Sequence, residues 1–330
     1  MTIITKKALI FGITGQDGAY LARLLLSKGY TVMGTSRDAE MTNASNLKRL
    51  GIHGQVALFS SVPSDYHSVM STIEQIRPHE IYNLSGQSSV GLSFEQPAET
   101  LTSIALGTLN ILDAIRAIDG SIKFYNASSG ECFGDTNGVP AHEKTAFNPC
   151  SPYAIAKAAA YWEVANYRMA YGLYACSGIL FNHESPLRPA RFVTQKIIQG
   201  AVSAARGETK KLSLGNLLIH RDWGWAPEYV EAMWRMMQLE APEDFVIATG
   251  RSYTLEDFVS AAYAHFDLNY LDHIQHNDSL LRPTELIHGL GDAKKASDLL
   301  DWHAQKTMPD VVSATAQSEM ARLSDTAMPR

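Results

Sequence analysis

The chain has 330 residues, 45% hydrophobic and 19% charged, enough to bury a large core in two domains or one large one. A net charge of −6, with no basic run and no basic-aromatic interleaving, argues against nucleic acid as a partner and leaves room for a local basic pocket. Cys132, Cys150 and Cys176 have neither metal nor disulfide spacing, and no apolar run approaches the ~18 residues of a membrane span. The expectation is a cytoplasmic protein with reduced thiols, no metal and no membrane segment.

The N-terminal segment carries no long apolar leader and enters a strand from Lys7 to Gly12. Gly12-Ile13-Thr14-Gly15-Gln16-Asp17-Gly18 follows, then a helix from Ala19 to Lys28. Glycines at i, i+3 and i+6 between strand and helix let backbone amides approach a pyrophosphate at a helix N-terminus. A second strand runs from Tyr30 to Ser36. Its tip, Thr35-Ser36-Arg37, has no acid and one Arg. Arg suits the 2′-phosphate of NADP; Asp38 beside it keeps NAD as the alternative.

Strands follow at Val56 to Ser60 and Glu80 to Ser85, separated by a helix from Tyr66 to Ile76. Gly86-Gln87-Ser88-Ser89 then overlies the expected cofactor cleft. A helix from Thr102 to Ile118 and a strand from Ile122 to Asn126 complete a regular β-α alternation. That rhythm predicts a Rossmann-type α/β fold, a doubly wound parallel sheet covered on both faces.

Ser128-Ser129-Gly130 reads as a turn at the strand end, followed by Glu131. Ser151-Pro152 opens a helix reaching Tyr171, with Ser as cap and Pro in the first turn. Tyr153 and Lys157 share one face of it. A nearby ammonium favours the phenolate, so Tyr153 is expected to serve as a base near neutral pH.

A strand from Leu173 to Leu180 leads to the polar loop Asn182-His183-Glu184-Ser185-Pro186, in which His183 suits a structural hydrogen-bonding role. Beyond it the rhythm is irregular. Residues 1–181 are expected to form mainly the dinucleotide domain. Residues 182–330 form mainly a smaller substrate lid, with some segments returning to the first domain. Short strands are expected at Lys211 to Gly215 and Phe245 to Thr249, and helices at Glu228 to Leu239 and Leu255 to Phe266. Arg188, Arg191, Lys196, Arg221 and Arg282 lie in the lid, where planar guanidinium forks suit a diphosphate.

The chain resembles the extended short-chain dehydrogenase/reductases that act on sugar nucleotides, most closely the GDP-mannose 4,6-dehydratases. The resemblance rests on the glycine turn, Ile81 to Leu84, Val90 to Pro97 and Ser151 to Lys157. It continues through Gly178 to Pro186, Arg221-Asp222-Trp223-Gly224, Glu243 to Gly250 and Arg282-Pro283-Thr284-Glu285. It implies Gly12, Thr14, Gly15, Gln16, Asp17, Gly18, Arg37, Leu84 and Gln87 as cofactor contacts, with Tyr153 and Lys157. Ser88, Asn182, Val193, Lys196, Arg221, Arg282 and Glu285 would hold a GDP-sugar.

The implied reaction oxidises C4 with NADP, eliminates water across C5 and C6, and reduces C6. Tyr153 with Lys157 takes the C4 hydroxyl proton, Ser129 binds the C4 oxygen, and Glu131 takes the C5 proton. Related enzymes that only reduce or epimerise need no carboxylate at Glu131.

Some residues depart from the family pattern. Gly130 stands where relatives have Ser or Asp, so Glu131 is left to act as both base and acid. Ser36 and Asp38 interrupt an Arg-Arg-Ser run, Val62-Pro63 replaces Asp-Leu near the adenine, and Leu187 to Arg191 replaces an Arg-Arg-Gly stretch. The alternatives are the same chemistry on another GDP-sugar such as a GDP-manno-heptose, a GDP-4-keto-6-deoxy-sugar reductase, or a non-catalytic dinucleotide sensor. The helices from Thr102 to Ile118 and from Tyr153 to Tyr171 are apolar on more than one face, and a homodimer or tetramer is expected.

Overall fold

The computed structural model describes residues 5–326. Seven strands make one parallel sheet: β1 (Lys7–Phe11), β2 (Thr31–Ser36), β3 (Ala57–Ser60), β4 (Glu80–Asn83), β5 (Lys123–Ser129), β6 (Ala175–Leu180) and β7 (Phe245–Ile247). Their order is β7-β6-β5-β4-β1-β2-β3. Parallel neighbours need a crossover, and helices supply it. Four of these bear on the site: α1 (Gln16–Ser27), α2 (Tyr66–Ile76), α3 (Gly107–Ile118) and α4 (Pro152–Tyr171).

Alternation along β1 explains why both sheet faces are covered. Ala8 and Ile10 join one core with Tyr20 and Leu21 of α1 and with Tyr229 and Met233 of the helix Ala226–Met236. Leu9 and Phe11 join the other, with Ile73 of α2, Ile111 of α3 and Val164 of α4. The fold is the doubly wound Rossmann-type sheet that the β-α rhythm predicts. Strand order reverses between β1 and β4, which opens a crevice at their carboxyl ends.

Several elements differ from expectation in ways that matter to the site. α1 starts at Gln16, so Gln16, Asp17 and Gly18 form its first turn, where Asp17 complements the helix dipole. Ser128 and Ser129 pair with Ile179 and Leu180 as the end of β5; the turn begins only at Gly130. α3 is the last part of a helical run that starts at Pro97 and contains a π-turn at Thr102–Leu106. That run, Pro97–Ile118, is long and apolar enough to cross a membrane, but half of it is buried inside the molecule. Its π-turn presents the Ser103 hydroxyl, which accepts from the Gln87 amide at 3.2 Å.

Beyond Phe181 the chain builds a third core around Ile197, Ile198, Trp223, Phe258 and Val312. The helices Val193–Ala205 and Met308–Thr326, both unforeseen, carry part of it. The first could have been found, because Val193, Ile197, Ile198, Ala201 and Val202 follow helical periodicity. Phe245–Ile247 leaves this region and joins the main sheet beside β6.

Candidate active site

The glycine turn is shaped by what surrounds it. Gly12 has φ +84°, and a Cβ there would lie 2.8 Å from the Leu84 carbonyl oxygen. A Cβ on Gly18 would lie 2.3 Å from the Gly12 oxygen. Glycine is therefore required where β1 meets α1, and the turn leaves a cradle with backbone amides at a helix N-terminus. These residues fit a dinucleotide pyrophosphate.

Asp17 and Leu84 also border an open cleft of about 380 Å³ at the carboxyl ends of the strands. Around it stand the expected catalytic groups Ser129, Glu131, Tyr153 and Lys157. Gln87, Ser88, Asn182, Val193 and Lys196 line it too, with Arg221, Arg282 and Glu285 at the lid side. Gly12, Thr14, Gly15, Gln16, Gly18 and Arg37 are not on this cleft; the Gln16 side chain is held instead by Ser185 and by the His183 carbonyl. The Gln87 amide nitrogen binds Ser89 O at 2.8 Å and Thr100 Oγ1 at 3.1 Å, so its side chain shapes the loop.

Ser151 caps α4 by accepting from the Ala154 amide at 3.1 Å. This fixes the first turn, from which Tyr153 faces the end of β5. The Lys157 ammonium donates to the Ala127 carbonyl at 2.7 Å and lies 5.9 Å from the Tyr153 ring centre. Burial pushes Lys157 down to about 8. Burial also raises the Tyr153 phenol well above its ordinary value; Cys132 and Glu131 add to the rise, and a hydrogen bond from Ser129 opposes it. The expectation that Lys157 lowers this phenol is reversed in the protein alone. Desolvation of the phenolate outweighs an ammonium that is turned toward a backbone carbonyl.

Gly130 has the Phe181 ring 3.1 Å from where its Cβ would stand. The aromatic ring fills the space that a Ser or Asp side chain needs, so Glu131 is the carboxylate at this strand end. The Val62–Pro63 segment packs on α3, with Asn110 donating to the Pro63 carbonyl at 2.9 Å. Leu187 is buried at 4% exposure, turned into the main core. Arg188 pairs with Glu184 at 3.2 Å and lies over the Phe192 ring, and Arg191 reaches Ser88 at 3.3 Å across the mouth of the cleft.

Two groups have partners that their local sequence did not reveal. His183 makes the hydrogen bonds expected of it, to Phe181 O at 2.7 Å and Asp17 at 2.9 Å, but it also lines the cleft. Arg221 is only 5% exposed, and burial lowers its pKa while Glu131 and Glu285 hold it up. No spacing rule links either residue to its partners.

A family model described as GDP-mannose 4,6 dehydratase matches residues 9–315. GDP-mannose 4,6 dehydratase 1 of Arabidopsis thaliana is 45% identical over 307 residues, covering 90% of this chain and 85% of that protein. Among solved structures, dTDP-glucose 4,6-dehydratase from Bacillus anthracis in complex with NAD superposes with a TM-score of 0.82 at 19% identity, covering 95% of this chain and 96% of that one. RMD from Pseudomonas aeruginosa, complexed with NADPH, gives 0.79 at 21% identity, covering 96% and 100%. These two likenesses concern the fold.

Proposed function

The chain belongs to the GDP-mannose 4,6-dehydratase family, and from that premise we propose that it converts GDP-mannose to GDP-4-keto-6-deoxymannose. The observation that carries this is Glu131 on one cleft with Ser129, Tyr153 and Lys157. A carboxylate there suits removal of the C5 proton, which a reductase does not need.

The cofactor is a nicotinamide dinucleotide, as bound by the two solved neighbours; the proposed form is NADP. Arg37 is exposed and has no ion pair among the described residues, while Asp38 accepts from the Glu40 and Met41 amides at 3.0 and 2.9 Å. The acid is thus engaged by its own turn and Arg37 is free for a 2′-phosphate. The glycine turn at Gly12, Gly15 and Gly18 would hold the dinucleotide, which when bound would supply reversible hydride exchange and a positive ring that favours the Tyr153 phenolate.

Tyr153 takes the proton of the C4 hydroxyl, and Ser129 holds the C4 oxygen. The C4 ketone acidifies the C5 hydrogen. Glu131 takes that proton and delivers one to the departing C6 hydroxyl, which leaves as water. No second acid stands at Gly130, so one carboxylate serves both steps. Arg221, Arg282 and Lys196 hold the diphosphate, and Glu285 accepts from nucleotide hydroxyls. The protein is proposed to act as a cytoplasmic homodimer; its three free cysteines suit a reducing compartment.

The test is incubation of the purified protein with GDP-mannose and no added cofactor. A 4-keto product is expected, because the dinucleotide is regenerated at each turnover. No turnover of GDP-mannose, with reduction of a GDP-4-keto-6-deoxy-sugar at the expense of NADPH in proportion, would instead make the protein a reductase.

A further inference from the structure

We propose that Arg221 is a positioning residue that couples the diphosphate end of the cleft to Glu131: its guanidinium restrains the carboxylate until a diphosphate takes its open edge. The inference deepens the function proposed above and rests on it for the role of Glu131.

Arg221 lies at the end of the short strand His220–Arg221 and is 5% exposed. Its Nη1 is fixed by two carbonyls, His220 O at 2.9 Å and Leu286 O at 2.8 Å. These bonds set the plane of the fork, and Arg221 lines the cleft. Nε is 3.8 Å from Glu131 Oε1, and Nη2 is 3.8 Å from Glu285 Oε1. Both gaps are too long for hydrogen bonds. Among the described residues Nη2 has no hydrogen-bond partner, and neither has Glu285 Oε1. Arg282 stands 3.8 Å from Glu285 on the other side.

A buried guanidinium with an unsatisfied edge is costly, and the geometry that satisfies it is a bidentate anion. Two carboxylates already attract the edge without closing on it. One of them is the group that must move protons. While Glu131 balances the charge of Arg221, its carboxylate is drawn toward the fork. A diphosphate seated on Nε and Nη2 takes over that balance. Glu131 is then released to take a proton from the sugar attached to that diphosphate. Proton transfer is thereby linked to occupancy of the anion site, and a sugar without its nucleotide leaves Glu131 restrained.

The test is a binding cycle read by calorimetry with GDP as probe, on the purified protein with its cofactor. Glu131→Gln removes the competitor for the fork, so GDP should bind about three- to tenfold more tightly than to the wild type. In an Arg221→Gln background the same change should give no gain. An equal gain in both backgrounds, which direct charge repulsion would explain, or no gain in either, overturns the coupling.

Should Arg221→Gln fail to fold, Glu131→Asp decides. It keeps the charge and withdraws the oxygens from Nε by one methylene, so tighter GDP binding is expected and an unchanged affinity overturns the proposal. In turnover, Arg221→Lys should lower kcat as well as raise KM; a change in KM alone would reduce Arg221 to an anion contact. If the wild type leaves GDP-mannose unchanged, the proposed function falls, while the binding cycle, which needs no turnover, still decides the link. Pyrophosphate replaces GDP as the probe if GDP does not bind.

Discussion

His183 Nε2 lies 2.9 Å from Asp17 Oδ2, tying the first turn of α1 to the strand Asn182–Glu184. The Nδ1 atom of the same ring lies 2.7 Å from the Phe181 carbonyl, which can only accept. Both ring nitrogens therefore face acceptors, an arrangement that favours an imidazolium paired with a carboxylate. Burial alone would lower the His183 pKa, but the charge and hydrogen bond of Asp17 raise it above 6.5. Burial alone would raise that of Asp17, but His183 brings it below 3.8.

The pair's contribution to stability is complete between those two ordinary values. It fades as pH rises through the raised value of His183, and as pH falls through the lowered value of Asp17. Asp17→Asn should cost about 3 kcal/mol near pH 6. Melting temperatures of both proteins from pH 6 to 10 should converge as His183 loses its proton. A constant difference over that range would mean that the pair is not ionised.

Lys157 illustrates a site that costs stability. Its displacement from 10.5 to about 8 corresponds to about 3 kcal/mol of penalty for the buried ammonium. The penalty is complete below pH 8 and disappears as pH approaches 10.5, because the folded state then binds fewer protons than the unfolded one. Lys157→Met also loses the bond to Ala127, worth about 1 kcal/mol. The mutant should be more stable than wild type by about 2 kcal/mol at pH 7, with the advantage shrinking toward pH 10, and almost inactive. Denaturant titrations at the two pH values check this; a mutant destabilised at pH 7 refutes it.

Glu131→Gln should abolish water elimination while the nucleotide still binds. Loss of a positioned base costs on the order of 10²–10⁴ in rate. The readout is the 4-keto product. Formation near the wild-type rate removes Glu131 from the proton transfer.

Arg37→Ala should weaken NADP about tenfold and leave NAD nearly unchanged, because only NADP carries the additional phosphate. Dissociation constants for both cofactors, on both proteins, are compared. Equal losses would make Arg37 an ordinary surface charge.

Ile155, Trp162 and Met169 recur every seven residues along α4 and remain 51%, 61% and 77% exposed. Leu101 and Leu106 of the neighbouring helical run are 48% and 42% exposed. Such a stripe is well suited to a second copy of the chain. Light scattering at micromolar concentration should give twice the 36.2 kDa chain mass, and moderate salt should not change it. Trp162→Glu should yield the 36.2 kDa species. A wild type that is already monomeric ends the idea.

What was legible in the sequence obeys short-range rules. The alternation of strands and helices, the glycine spacing at Gly12, Gly15 and Gly18, and the cap at Ser151 ahead of Tyr153 and Lys157 all follow from backbone geometry within a few residues. Side-chain periods of two and 3.6 residues set which residues share a strand or helix face. Other features required the whole molecule. Phe245–Ile247 becomes an edge strand because β6 offers it an unpaired side. Asp17 meets His183, Phe181 meets Gly130, and Arg221 meets Glu131 because the sheet and the core beyond Phe181 bring distant segments together. The phenol of Tyr153 moved opposite to expectation for the same reason. A four-residue spacing specifies which groups are neighbours, whereas desolvation depends on every surface that closes around them.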